Sequence, residues 1–114
     1  MSTVSIDNAE HYIWGDQCDG WHLARSPKLS VIQERVPAGC GERQHLHRQA
    51  EQFFYVLSGV ASLKLADASH TLTAGQGLHV PAGTPHSLVN NHADELRFLV
   101  VSTPPSHGDK VELS

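Results

Sequence analysis

The sequence has no run of lysine or arginine, no long apolar stretch and only two cysteines, and each shortage removes a class of function. With 8 Lys+Arg against 12 Asp+Glu and a net charge of -4, nothing in it would neutralise a row of phosphates. Neither nucleic acid nor an anionic membrane surface is therefore an expected partner. No segment approaches the roughly 18 apolar residues of a membrane span. The start, Met1 to Asp7, lacks the basic-then-apolar pattern of an export signal. A cytoplasmic location is expected, in which Cys18 and Cys40 stay reduced thiols, and no Cys-x-x-Cys pair is present. The patterns Gly-x-Ser-x-Gly, Gly-x-x-x-x-Gly-Lys and Gly-x-Gly-x-x-Gly are also missing, which removes the nucleophile elbow, the phosphate loop and the dinucleotide turn.

What the chain has in quantity is turn residues and histidine. From Gly39 onward, turn-forming residues at Ser58-Gly59, Asp67-Ala68-Ser69, Gly75-Gln76-Gly77, Pro81-Ala82-Gly83 and Asn90-Asn91 cut it into pieces of strand length. The pieces 29–36, 52–57, 61–65, 70–73, 78–80, 86–89 and 96–102 are rich in β-branched and aromatic residues. This predicts an all-β sandwich or barrel of seven or eight strands. Residues 53–57 and 96–101 are apolar on nearly both faces, so their outer face needs cover. A homodimer is expected there; the alternative is that residues 1–28, with Tyr12, Ile13, Trp14, Trp21 and Leu23, fold back over it. The chain thus divides into an N-terminal segment 1–28, with turns at Gly15-Asp16 and Asp19-Gly20, a barrel 29–103, and a polar tail 104–114.

Histidine is over-represented at 9 residues, and three of the nine stand in a telling pattern. On a helix His45 and His47 would point about 200° apart, whereas on a strand residues i and i+2 face the same way about 7 Å apart. Only the strand reading lets both imidazoles reach one cation, with further ligands from neighbouring strands. The candidates for those are His86, held behind the turn Pro81-Ala82-Gly83-Thr84-Pro85, and Glu51 or Gln52. His11, His22, His70, His92 and His107 lack such a partner and read as solvated.

These residues resemble the cupin family over roughly residues 29 to 103. Its first motif is matched by Gly39, His45, His47 and Gly59, and its second at every position by Gly75, Pro81, Gly83, His86 and Asn90. The resemblance implies a double-stranded β-helix, or jelly-roll barrel, with one divalent transition metal ion, Mn, Fe, Ni or Zn. The acidic ligand departs from the pattern: counting back from Gly59 lands on Gln52, while Glu51 fits the spacing from His47. Strand parity puts Gln52 with Phe54 and Val56 on the inner face, so the expected ligand set is His45, His47, Gln52 and His86, with Glu51 coming in only through a bulge. Three neutral imidazoles and an amide would leave the ion its full +2 charge and favour an anionic small-molecule ligand. Arg43 is a candidate for a ligand carboxylate, His79 and Glu51 for proton transfer, and Gln33 and Arg35 for the pocket wall. The expected function is a metal-dependent enzyme acting on a small organic acid or sugar derivative by isomerisation, tautomerisation or oxygenation; the alternative is a binding module without turnover.

Overall fold

A computed structural model describes residues 2–66 and 68–113; Asp67, expected in a turn, lies outside them. The strands are β1 (Glu10–Trp14), β2 (Cys18–Ser26), β3 (Leu29–Val36), β4 (His45–His47), β5 (Glu51–Ser58), β6 (Val60–Leu65), β7 (Ser69–Thr73), β8 (Gly77–Val80), β9 (His86–Val89), β10 (Leu96–Thr103) and β11 (Lys110–Glu112). They form two antiparallel sheets, a six-stranded one in the order β1-β2-β3-β10-β5-β8 and a five-stranded one in the order β11-β4-β9-β6-β7. This is the double-stranded β-helix. Among the described residues no helix is long and apolar enough to cross a membrane.

Period-two alternation builds the core between the sheets. Along β5, Gln52, Phe54 and Val56 are buried while Glu51, Phe53, Tyr55 and Leu57 face out. Along β10, Leu96, Phe98, Val100 and Ser102 point inward. Phe98, Leu63, Leu88 and Val56 are almost wholly enclosed. Gly59 closes the β5–β6 hairpin at φ 83°, and a Cβ there would sit 2.5 Å from the Glu95 carbonyl oxygen. Both the left-handed backbone and the close approach therefore demand glycine.

The two ends of the chain differ from expectation. Residues 10–26 lengthen the large sheet at the β3 edge instead of folding over its outer face. Phe53, Tyr55 and Leu57 accordingly remain 41%, 37% and 40% exposed. Tyr12 and Trp14 pack on the core while Ile13 points to solvent, a strand alternation. Asp19 and Gly20, expected in a turn, lie inside β2. At the other end, the stretch expected as a polar tail runs back as β11 along β4, with Lys110 opposite His47 and Glu112 opposite His45. Both cysteines are free thiols.

Candidate metal centre

The topology brings the three motif histidines together. His45 and His47 lie two apart on β4, and His45 is the register partner of His86 on the adjacent β9. All three are buried, at 3%, 6% and 1% exposure, and one ligating nitrogen of each lies within 4.8 Å of the others. Gln52 reaches them from the opposite sheet on β5 and is also buried. The β8–β9 turn that presents His86 is tied to β4 by Gly83, whose N–H donates to the His47 carbonyl at 2.7 Å and whose φ of 77° suits glycine.

Hydrogen bonds settle which nitrogens face inward. His45 Nδ1–H donates to the Arg43 carbonyl at 2.7 Å, and His86 Nδ1–H donates to the Thr84 carbonyl at 2.8 Å. Each ring is thereby held in the tautomer whose Nε2 carries a free lone pair. His47 Nδ1 is buried with no hydrogen-bond partner. Gln52 Nε2–H donates to Ser102 Oγ at 3.0 Å, which turns Oε1 toward His86 Nε2 at 3.1 Å. Two acceptors facing each other in a buried site are what a cation would relieve. Burial pushes His45 down to about 4, and lowers His47 and His86 as well. All three are neutral near pH 7, the form that binds metal. The donor set fits a divalent transition ion.

His45 and His47 open onto a cavity of about 220 Å³ lined by Gln52, Tyr12, Ile32, Glu34, Glu42 and Phe54 among others. Ser106, His107 and Gly108 contribute to its wall from the segment before β11. That segment is fastened by Asp109, whose carboxylate accepts the backbone N–H groups of Arg48, Gln49 and Ala50 at 3.1, 2.9 and 2.9 Å.

Several expected site residues stand elsewhere. Glu51 and His79 are not among the cavity-lining residues; they pair with each other on the outer face at 2.8 Å, both more than half exposed. Parity explains this, since Glu51 follows Phe53 and Tyr55 outward and His79 lies opposite Phe53. Arg43 is exposed and borders a neighbouring depression with Glu42, Lys110 and Glu112. Gln33 and Arg35 face away from the cavity, whose wall on β3 is made by Ile32 and Glu34. Arg35 is instead engaged by Asp19 and Glu95.

The cavity holds two carboxyls absent from the expected set. Tyr12 O–H donates to Glu34 Oε2 at 3.3 Å. Burial, assisted by the charge of Glu42 and opposed by Tyr12 and Lys110, pushes Glu34 up to about 8. Burial likewise raises Glu42 to about 7, against the Leu88 N–H bond and Lys110. A signal for Glu34 was present: it shares parity with Ile32 and Val36, so an acid stands between two core positions.

These shifts fix how stability depends on pH. A carboxyl raised in the folded state favours folding fully below its ordinary value of 4.5, and that contribution is lost as pH rises toward 8. The lowered histidines act in the opposite sense, with stability lost as pH falls below 6.5. Above pH 6.5 the raised carboxyls dominate the change between the folded and unfolded states. The metal-free protein should therefore lose on the order of 2 kcal/mol between pH 6.5 and 8.5, and Glu34→Gln should flatten that decline in denaturant titrations. A wild-type stability that is level or rising over this range would contradict the assignment.

Known proteins place the fold. The family model described as Cupin domain matches residues 32–102. An uncharacterized protein of Streptomyces coelicolor is 34% identical over 89 residues, covering 76% of this chain and 83% of its own. The polyketide cyclase RemF of Streptomyces resistomycificus superposes at a TM-score of 0.86 with 21% identity, over 100% of this chain and 86% of its own. KdgF of a Halomonas species does so at 0.83 with 20% identity, over 91% and 95%. Two facing antiparallel sheets, both histidine motifs at their spacing and a family match over most of the barrel lead to one assignment: the chain belongs to the cupin family.

Proposed function

We propose that this cupin is a metal-dependent enzyme that binds one divalent transition ion through His45, His47, His86 and Gln52 and acts on a small polar organic acid or sugar derivative. The observation that carries this reading is the convergence of three buried, neutral imidazoles, with ligating nitrogens within 4.8 Å of one another, beside a cavity that His45 and His47 line. Relatives of the same fold with names such as polyketide cyclase and sugar phosphate isomerase are consistent with it, but a fold hosts many reactions. The size of the cavity narrows the ligand: about 220 Å³ is below the roughly 300–1,000 Å³ of sites for drug-sized molecules.

Bound there, the ion would supply Lewis-acid polarisation of a ligand oxygen. The residues of the chain provide the rest. Ile32, Phe54 and Val100 shield one side of the cavity from water, which strengthens every polar contact inside. Ser102 orients the Gln52 amide. Glu34, with its carboxyl beside the Tyr12 hydroxyl, is placed to give or take a proton at a ligand carbon or oxygen, and a value near neutrality suits that task. Glu51, His79 and Arg43 have no part in this arrangement.

The test loads the protein with Mn(II), Fe(II), Ni(II) or Zn(II), measures oxalate binding, and follows small 2-oxo acids, 2-hydroxy acids and sugars by NMR beside His86→Ala. Metal-dependent oxalate binding, with conversion of at least one compound that His86→Ala abolishes, is the expected result. Loaded protein that neither binds oxalate nor converts any compound would contradict the reading.

A further inference from the structure

Gln52 leaves the metal site without a carboxylate where the family motif has one, yet an ion of full +2 charge is costly to hold between apolar walls. The cavity contains an acid within reach. Glu42 Oε2 lies 3.9 Å from His45 Nε2, the nitrogen whose lone pair faces inward because Nδ1–H is committed to Arg43. The other carboxylate oxygen accepts the Leu88 N–H at 3.0 Å, and the Glu42 N–H donates to the Leu88 carbonyl at 3.0 Å. Glu42 is thus pinned at both ends to β9, the strand that carries His86. Its side chain is only 18% exposed, and among the described residues its one ion-pair contact is this neutral histidine. As with Gln52 Oε1 before His86 Nε2, a side-chain oxygen faces a histidine nitrogen whose lone pair points inward.

We propose that Glu42 is the acidic member of the ion site, supplying from outside both motifs the negative charge that Gln52 does not. This rests on the reading that the three histidines hold an ion. Direct contact with the ion and contact through one of its waters both place the carboxylate where it offsets the charge. Either geometry predicts the same dependence of ion affinity on Glu42.

The test is calorimetric titration of metal-free protein with Ni(II), comparing wild type, Glu42→Gln, Gln52→Glu, the double variant and His86→Ala. Glu42→Gln keeps an oxygen for the Leu88 N–H and should weaken binding about 10–100-fold. In that background Gln52→Glu should restore most of the loss, because the charge returns on the opposite wall. In the wild-type background Gln52→Glu should gain less than about tenfold, since the site already has its acid, and the two changes should be strongly non-additive. Affinity of Glu42→Gln within about threefold of wild type, with His86→Ala clearly impaired, overturns the proposal and leaves the histidine site standing. Should Glu42→Gln fail to fold, a gain of a hundredfold or more in Gln52→Glu alone overturns it just as well. If wild type binds no Ni(II) and His86→Ala behaves alike, the histidine reading fails, and this proposal with it.

Discussion

Replacing His86 with alanine should lower the affinity for Ni(II) or Zn(II) by more than about a hundredfold, because changes merely in the outer shell already cost about 10–100-fold. Three features of His86 make the loss large. It is 1% exposed, its ring is locked by the Thr84 carbonyl, and its Nε2 faces the Gln52 amide oxygen. It is also the register partner of His45, so its removal takes away one wall of the triangle and leaves only the β4 pair and the amide. Competition against a chromophoric chelator reads the change, with His70→Ala as the control. His70, on β7 at the edge of the small sheet, is outside the cluster and should leave affinity unchanged. An unimpaired His86→Ala would place ion binding elsewhere.

Phe98→Ala should lower the unfolding free energy by about 3–5 kcal/mol, the largest effect on stability expected of any single truncation in the barrel. Phe98 is 1% exposed at the centre of β10, bonded on one side to β3 and on the other to β5. Its ring lies 6.0 Å from Phe54, which in turn meets His86 edge-on at 5.9 Å. The same truncation therefore loosens the support behind the histidine cluster. Denaturant titration should show a lower midpoint with an unchanged slope. Ni(II) should recover part of the loss, since a ligand that binds only the folded state stabilises it. A change under about 1 kcal/mol would mean that the site collapses around the missing ring.

The central part of the chain was the most legible, because alternation and turn residues agree there. The pieces expected at 29–36 and 86–89 are β3 and β9 without change, and the others differ by one residue at one end or, for β5, at both. Parity also separated Gln52 from Glu51 correctly in direction, one buried and the other exposed. The ends were harder for physical reasons. Gly20 and Asp19 are turn formers that here sit within β2; a Cβ on Gly20 would collide with the Tyr12 ring, and Asp19 is held by Arg35 and His11. These are tertiary contacts with no local signature. The three residues of β11 are a strand only because β4 lies beside them. On β8, His79 is opposite in parity to Leu78 and Val80, yet the buried position of this edge strand is Val80, so His79 faces out. Parity alone does not state which face is inside. On β3 Gln33 and Arg35 share a polar face that reads as pocket wall, yet the face turned to the cavity is that of Ile32 and Glu34.

The most direct test of the account is anomalous diffraction from crystals of the protein loaded with Zn(II) or Ni(II), recorded at the absorption edge of the metal. The account predicts a single peak between the two sheets, about 2.0–2.2 Å from one nitrogen each of His45, His47 and His86, with the Gln52 side chain in contact and the Glu42 carboxylate beside it. A loaded crystal with no peak there, or with its peak at His22 and His107 or on the Glu51–His79 pair, would contradict it.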